Sequence, residues 1–164
     1  MLLHGAQGKG KSTFIRHLLP PELKDYYRNG MIIPENNNHL LQLSSCLLIN
    51  LDEFDTLSPE RMQNLKSLIT QDVVNERKVY DIQNYTYIRR ASFIASTNNP
   101  HCMPDVKENR RILFSTLLNI DYHTPVNHEG IYAQAYALYR QGFQYWYETV
   151  SYTHLRAHET LSDL

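Results

Sequence analysis

Glycines, lysines and hydroxyls crowd together in Gly5-Ala6-Gln7-Gly8-Lys9-Gly10-Lys11-Ser12, with Thr13 next. Gly5, Gly8 and Gly10 allow a backbone to curl its N–H groups toward an anion without Cβ clashes. Lys11 adds a positive charge suited to β/γ-phosphates, and the Ser12 hydroxyl can ligate Mg2+, with Lys9 and Thr13 alongside. A second group, Asp52-Glu53, closes the apolar run Cys46-Leu47-Leu48-Ile49-Asn50-Leu51. There Asp52 can sit near a metal ion while Glu53 polarises a water, with Asp55 as a helix cap or helper. Asn98 follows the apolar run Ser92 to Thr97, where it can reach a γ-phosphate or orient that water. Arg110-Arg111 precede the last apolar stretch, and a guanidinium there can stabilise charge on a transferring phosphoryl group. Together these residues read as a site for ATP with Mg2+.

Such a site needs strands that end at a common edge and helices that return the chain. The short stub Met1 to His4 reads as a strand cut short upstream, since central strands run to about five or six residues. Phe14, Ile15, Leu18 and Leu19 have helical spacing, stopped by Pro20-Pro21. Pro21 to Ser45 reads as loops, with one edge strand near Met31-Ile32-Ile33. Cys46 to Leu51 fits a strand buried on both faces. Ser58-Pro59 opens a helix whose apolar face holds Met62, Leu65, Leu68, Ile69 and Val73.

Lys78 to Ile88 alternates like a hairpin, Ser92 to Thr97 is a short strand, and Ile112 to Ile120 is another. Gly130 to Tyr147 is expected to be a helix. Its stripe of Tyr132, Tyr136, Tyr139, Phe143 and Trp146 points to packing in a core rather than base stacking. The whole predicts an α/β fold, a central mostly parallel sheet flanked by helices. Residues 1–148 form the domain. The string from Val150 to Thr160 resembles the translation of a sequencing-library adapter, so 149–164 reads as a non-native tail.

Composition narrows the functional classes. In 164 residues, 42% are hydrophobic and 20% charged, enough apolar material for a packed core. Sixteen Lys+Arg against seventeen Asp+Glu leave a net charge of −1, which argues against a globally basic nucleic-acid coat but leaves room for a local basic groove. Arg89-Arg90 could line such a groove or simply be exposed. The two cysteines make neither a disulfide framework nor a metal cluster, and the six histidines ahead of the tail have no ligand spacing. No apolar run is long enough to cross a bilayer, and a reducing, cytoplasmic setting is expected.

With four motifs in order, the chain resembles the additional-strand P-loop ATPases, the AAA+ and superfamily 3 helicase group. More narrowly it is similar to the virulence-associated E (VirE) family of phages and other mobile elements. The closer resemblance is carried by Gly5 to Thr13, Leu51-Asp52-Glu53-Phe54-Asp55, Arg89-Arg90 leading into Ser92 to Asn98, and Glu108-Asn109-Arg110-Arg111-Ile112. One departure is Glu108, where the family pattern has glycine.

The resemblance implies a P-loop NTPase of AAA+-like type that hydrolyses ATP, with Lys11 and Ser12 on nucleotide and metal. It implies Asp52 as metal partner, Glu53 as base, Asn98 as γ-phosphate sensor, and Arg110 or Arg111 as an arginine finger. It further implies work on DNA, most simply single-stranded DNA, by a homo-oligomeric ring during mobile-element replication. The alternatives are a nucleotide-gated DNA-binding initiator or scaffold, and a protein-remodelling ATPase.

Overall fold

The computed structural model describes residues 1–30, 37–52, 54–77, 84–100, 102 and 112–144. The chain divides into two compact units, Met1–Pro104 with Arg111–Val126, and Asp105–Arg110 with Asn127–Leu164.

The first unit is built on a five-stranded sheet of β1 (Leu2–His4), β2 (Tyr27–Asn29), β3 (Leu48–Leu51), β6 (Ser92–Thr97) and β7 (Phe114–Thr116). Its order is β2-β3-β6-β1-β7, and every neighbouring pair is parallel. Successive side chains point to opposite faces, and the apolar residues follow that alternation. Leu2, Ile49, Leu51 and Ala95 face one core, which α2 (Asn37–Ser45) and α3 (Pro59–Thr70) close with Leu43, Leu65 and Leu68. Leu3 and Ile94 face the other, closed by Ile15 of α1 (Lys11–Arg16). The sheet is thus covered by helices on both faces, which is why β1, β3 and β6 read as apolar runs rather than alternating ones.

Local signals set several boundaries. The Ser58 side chain accepts the Arg61 N–H at 3.4 Å and caps α3, with Pro59 in its first turn. That helix stops at Thr70, so Val73 is not on its apolar face. Val73 instead opens β4 (Val73–Arg77), which pairs antiparallel with β5 (Asn84–Ile88) in a separate two-stranded sheet. The expected hairpin is therefore present but begins earlier. The strand expected over Ile112 to Ile120 is confined to Phe114–Thr116.

Between α1 and β3 the loop reading needs correction. A 3-10 turn spans Pro21–Tyr26, the edge strand is Tyr27–Asn29, and α2 follows where only loop was expected. The proposed strand at Met31-Ile32-Ile33 lies outside the described residues. So do Trp146 and the tail from 149 onward.

In the second unit, α4 spans His128–Arg140 rather than Gly130 to Tyr147. The Asn127 side chain accepts the Gly130 N–H at 3.0 Å to cap its start. Gly142, at φ 72°, ends it, with Phe143 N–H donating to Leu138 O and Gly142 N–H to Tyr139 O. That pair of bonds is a Schellman ending. The aromatic stripe is not core: Tyr136 and Tyr139 are 63% and 71% exposed, and Tyr132 and Phe143 are exposed as well. Spacing puts Tyr132, Tyr136 and Tyr139 on one face of α4, with Phe143 beyond its end, and the tyrosine hydroxyl lets such a face meet water.

Candidate functional site

Parallel strands bring their carboxyl ends to one edge, and there the chain leaves β1 through the glycine loop into α1. Gly8 and Gly10 have φ of 77° and 78°, a left-handed conformation that costs other residues about 1 kcal/mol or more. Among the described residues no hydrogen bond takes up the backbone N–H of Gly8, Lys9 or Gly10. Polar backbone groups without partners are ready to receive an anion.

Lys11 is 7% exposed, unusual for a lysine, and its ammonium has three acceptors. Nζ donates to Gly5 O at 2.7 Å, Ala6 O at 2.9 Å and Asn98 Oδ1 at 2.7 Å. Burial pushes its pKa below the usual lysine value, against the opposing pull of Asp52 and Asp55. The register explains Asn98: β6 lies directly beside β1, with His4 opposite Thr97, and Gly5 N–H donates to Thr97 O at 3.3 Å.

A second cluster adjoins the first. Asp52 Oδ1 accepts the Ser12 hydroxyl at 3.1 Å and the Ser96 hydroxyl at 2.7 Å. Leu51 pairs with Ala95, so the next residue on each strand, Asp52 and Ser96, meet at the sheet edge. The Thr97 hydroxyl donates to Asp55 Oδ1 at 3.1 Å. These groups line one cleft of ≈ 650 Å³, within the ~300–1,000 Å³ usual for small-molecule sites.

A hydroxyl beside a carboxylate is a hard-oxygen donor set. Among the described residues no group of three or more His, Cys, Asp or Glu could hold a metal ion. A cation here would take most of its ligands from water and phosphate, which suits Mg2+ better than Ca2+ or Zn2+. Ser12 and Asp52 fit that role.

The structure therefore brings together Gly5, Gly8, Lys9, Gly10, Lys11, Ser12, Thr13, Asp52 and Asn98. Glu53, Arg110 and Arg111 lie outside the described residues. Asp55 proves a partner of Thr97 rather than a helix cap, since Ser58 caps α3. Arg89 is engaged at the base of the hairpin, donating from Nε to Gln71 O and from Nη1 to Ala91 O, both at 2.6 Å. Arg90 is exposed.

Three lining residues, Thr56, Ser96 and Tyr122, escape sequence reasoning. Ser96 could have been found from strand register, had the neighbour of β3 been known. Tyr122 carries no sequence signal, because its contact is with Gly10, far away along the chain.

Fold and cleft define the class: an α/β domain with a covered parallel sheet and a glycine-loop cleft at the carboxyl edge of its strands. The virulence-associated protein E-like domain matches residues 1–162, and the chain belongs to that family. No curated protein matches it. Two solved structures of the NrS-1 C-terminal region, both A-form and apo, share the fold at a TM-score of 0.50. One is 18% identical over 75% of this chain, and the other 19% identical over 82%. This chain spans 28% and 33% of those two, about a third of their length or less. Among the described residues no helix is long and apolar enough to cross a membrane.

Proposed function

We propose that the domain is a P-loop ATPase of AAA+-like type that hydrolyses ATP with Mg2+ and couples the reaction to work on DNA in mobile-element replication. The observation that carries this reading is the buried Lys11 ammonium, held at the glycine loop by Gly5 O, Ala6 O and Asn98. Burying a lysine without a carboxylate bonded to it is costly unless a ligand supplies the counter-charge. The position of β6 between β1 and β3 gives further support, since an extra strand between the loop strand and the acidic strand fits the additional-strand group.

In this reading the free amides of Gly8, Lys9 and Gly10 embrace the phosphates, and Lys11 moves part of its bonding from the loop carbonyls to phosphate oxygen. Ser12 and Asp52 would hold Mg2+, which when bound offsets phosphate charge. Asn98 accepts from Lys11, and in this reading it would also reach the γ-phosphate and sense whether that phosphate is present. Glu53 takes a proton from the attacking water, whose oxygen bonds to the γ-phosphorus as the bond to the bridging oxygen breaks, releasing ADP and phosphate. Arg110 or Arg111, supplied by a neighbouring protomer of a homo-oligomeric ring, offsets charge on the departing group.

Glu53→Gln tests the assignment of the base. ATP affinity should stay within about twofold of wild type while turnover falls by about a hundredfold or more, in keeping with the ~10²–10⁴-fold worth of a general base. Normal turnover would remove Glu53 from the role.

A further inference from the structure

One cleft residue is given no part by the phosphate chemistry. Ser96, near the end of β6, is 5% exposed and lines the cleft. Its hydroxyl donates to Asp52 Oδ1 at 2.7 Å, inside the ~2.5–2.7 Å range of a hydroxyl bonded to a charged oxygen. The Ser12 hydroxyl reaches the same oxygen at 3.1 Å, beyond the ~2.5–3.0 Å usual between oxygens. Of the two donors, Ser96 holds Asp52 more firmly. Among the described residues nothing bonds to the other carboxylate oxygen, Oδ2.

The sheet makes this hold rigid. β6 lies between β3 and β1, with Ala95 opposite Leu51 on one side and Ser96 opposite Leu3 on the other. Ala95 and Leu51 face one core, so Ser96 faces the opposite way, where Asp52 and Ser12 meet it. Ser12, by contrast, stands on the first turn of α1, next to the glycine loop.

We infer that Ser96 is a positioning residue for the metal: it tethers Asp52 through Oδ1 and so leaves Oδ2 to a Mg2+ ion or to water bound by it. The inference rests on the reading of the cleft as a Mg2+-nucleotide site. A carboxylate turns about two single bonds, whereas Mg2+ accepts little departure from octahedral geometry. Ser12 cannot supply the tether alone, because its own oxygen is assigned to the ion. The Ser96 bond comes from a residue clamped between two strands and is free of that second duty. Partners that orient a ligating carboxylate in this way are worth about 10–100-fold in metal affinity.

The test measures metal binding rather than turnover. The full chain, saturated with a non-hydrolysable ATP analogue, is titrated with Mn2+ as a paramagnetic stand-in for Mg2+, and affinity for the analogue is measured separately in EDTA. Ser96→Ala should weaken the metal by about tenfold or more while analogue affinity in EDTA stays within about twofold. That second measurement also certifies that the variant is folded. Ser96→Thr, which keeps the hydroxyl, should restore metal affinity to within about threefold. In an Asp52→Ala background, Ser96→Ala should add less than about twofold, since a residue that acts through Asp52 has nothing left to act on.

Unchanged metal affinity in Ser96→Ala overturns the inference. An equal loss in the Asp52→Ala background overturns it too, by making Ser96 a direct ligand. Equal weakening of the analogue in EDTA and of the metal would reduce Ser96 to a general support of the cleft, again against the inference. Failure of the underlying reading looks different: the wild-type chain would then bind no analogue, with or without metal.

Discussion

Lys11 is where sequence pattern and physical environment meet most directly. Its pKa is lowered from the usual 10.5, first by burial, with Asp52 and Asp55 opposing. The proposed phosphate binding needs the ammonium, and a lowered pKa means that the proton leaves at lower pH than from an ordinary lysine. Nucleotide affinity should therefore hold through neutral pH and then fall on the alkaline side, beginning below the ordinary lysine range. Lys11→Arg, charged throughout, should lose that alkaline limb even if it binds more weakly at pH 7. A pH series of equilibrium titrations checks both; an unchanged limb in Lys11→Arg would assign it to another group.

Much of the site at this scale was legible from type and spacing. Gly8, Gly10, Lys11 and Ser12 stand in a fixed local pattern, and Asp52 and Asn98 end apolar runs. The partnership of Ser96 with Asp52 and the contact of Tyr122 with Gly10 were not legible, because both join residues that only strand order brings together.

At the scale of elements, β3 does most to position the acidic end of the cleft. Ile49 is fully buried and faces the core with Leu65 and Leu68 of α3. Ile49→Ala should cost about 2–5 kcal/mol, through lost transfer energy plus a cavity. A urea melt would show this as a lower midpoint at unchanged slope; a cost under about 1 kcal/mol would mean that this face is loosely packed.

The runs that became β3 and β6 were readable because a strand covered on both faces must be apolar throughout. The helix α2 was not: it opens on Asn37-Asn38, which locally favour turns, and its stability comes from burying Leu43 in the core. Val73 shows the converse failure. It continues the helical spacing of α3, yet the chain leaves the helix at Thr70 and spends Val73 on the hairpin. The face of α4 was misjudged for a related reason, since periodicity defines a stripe without saying what lies against it.

For the whole molecule, the proposed ring makes a kinetic prediction. If an arginine from the next protomer completes each site, specific ATPase activity should rise with protein concentration and then plateau. Single-stranded DNA should raise it further, as expected of a motor. Arg110→Ala and Arg111→Ala should show which guanidinium is needed, by a loss of about 10³-fold or more at plateau with nucleotide affinity largely kept. Activity independent of concentration would rule out a shared site, and indifference to DNA would favour the protein-remodelling alternative.

The functional expectations depend on the glycine loop and Lys11 holding the phosphates of a nucleotide. Isothermal titration of the chain with ATP and Mg2+, in parallel with Lys11→Ala, asks that question with least intervening inference. The predicted result is saturable binding at one site per chain, abolished in the variant although its thermal melt remains cooperative. Absence of binding in the wild type, or equal binding in a folded Lys11→Ala chain, would contradict the account.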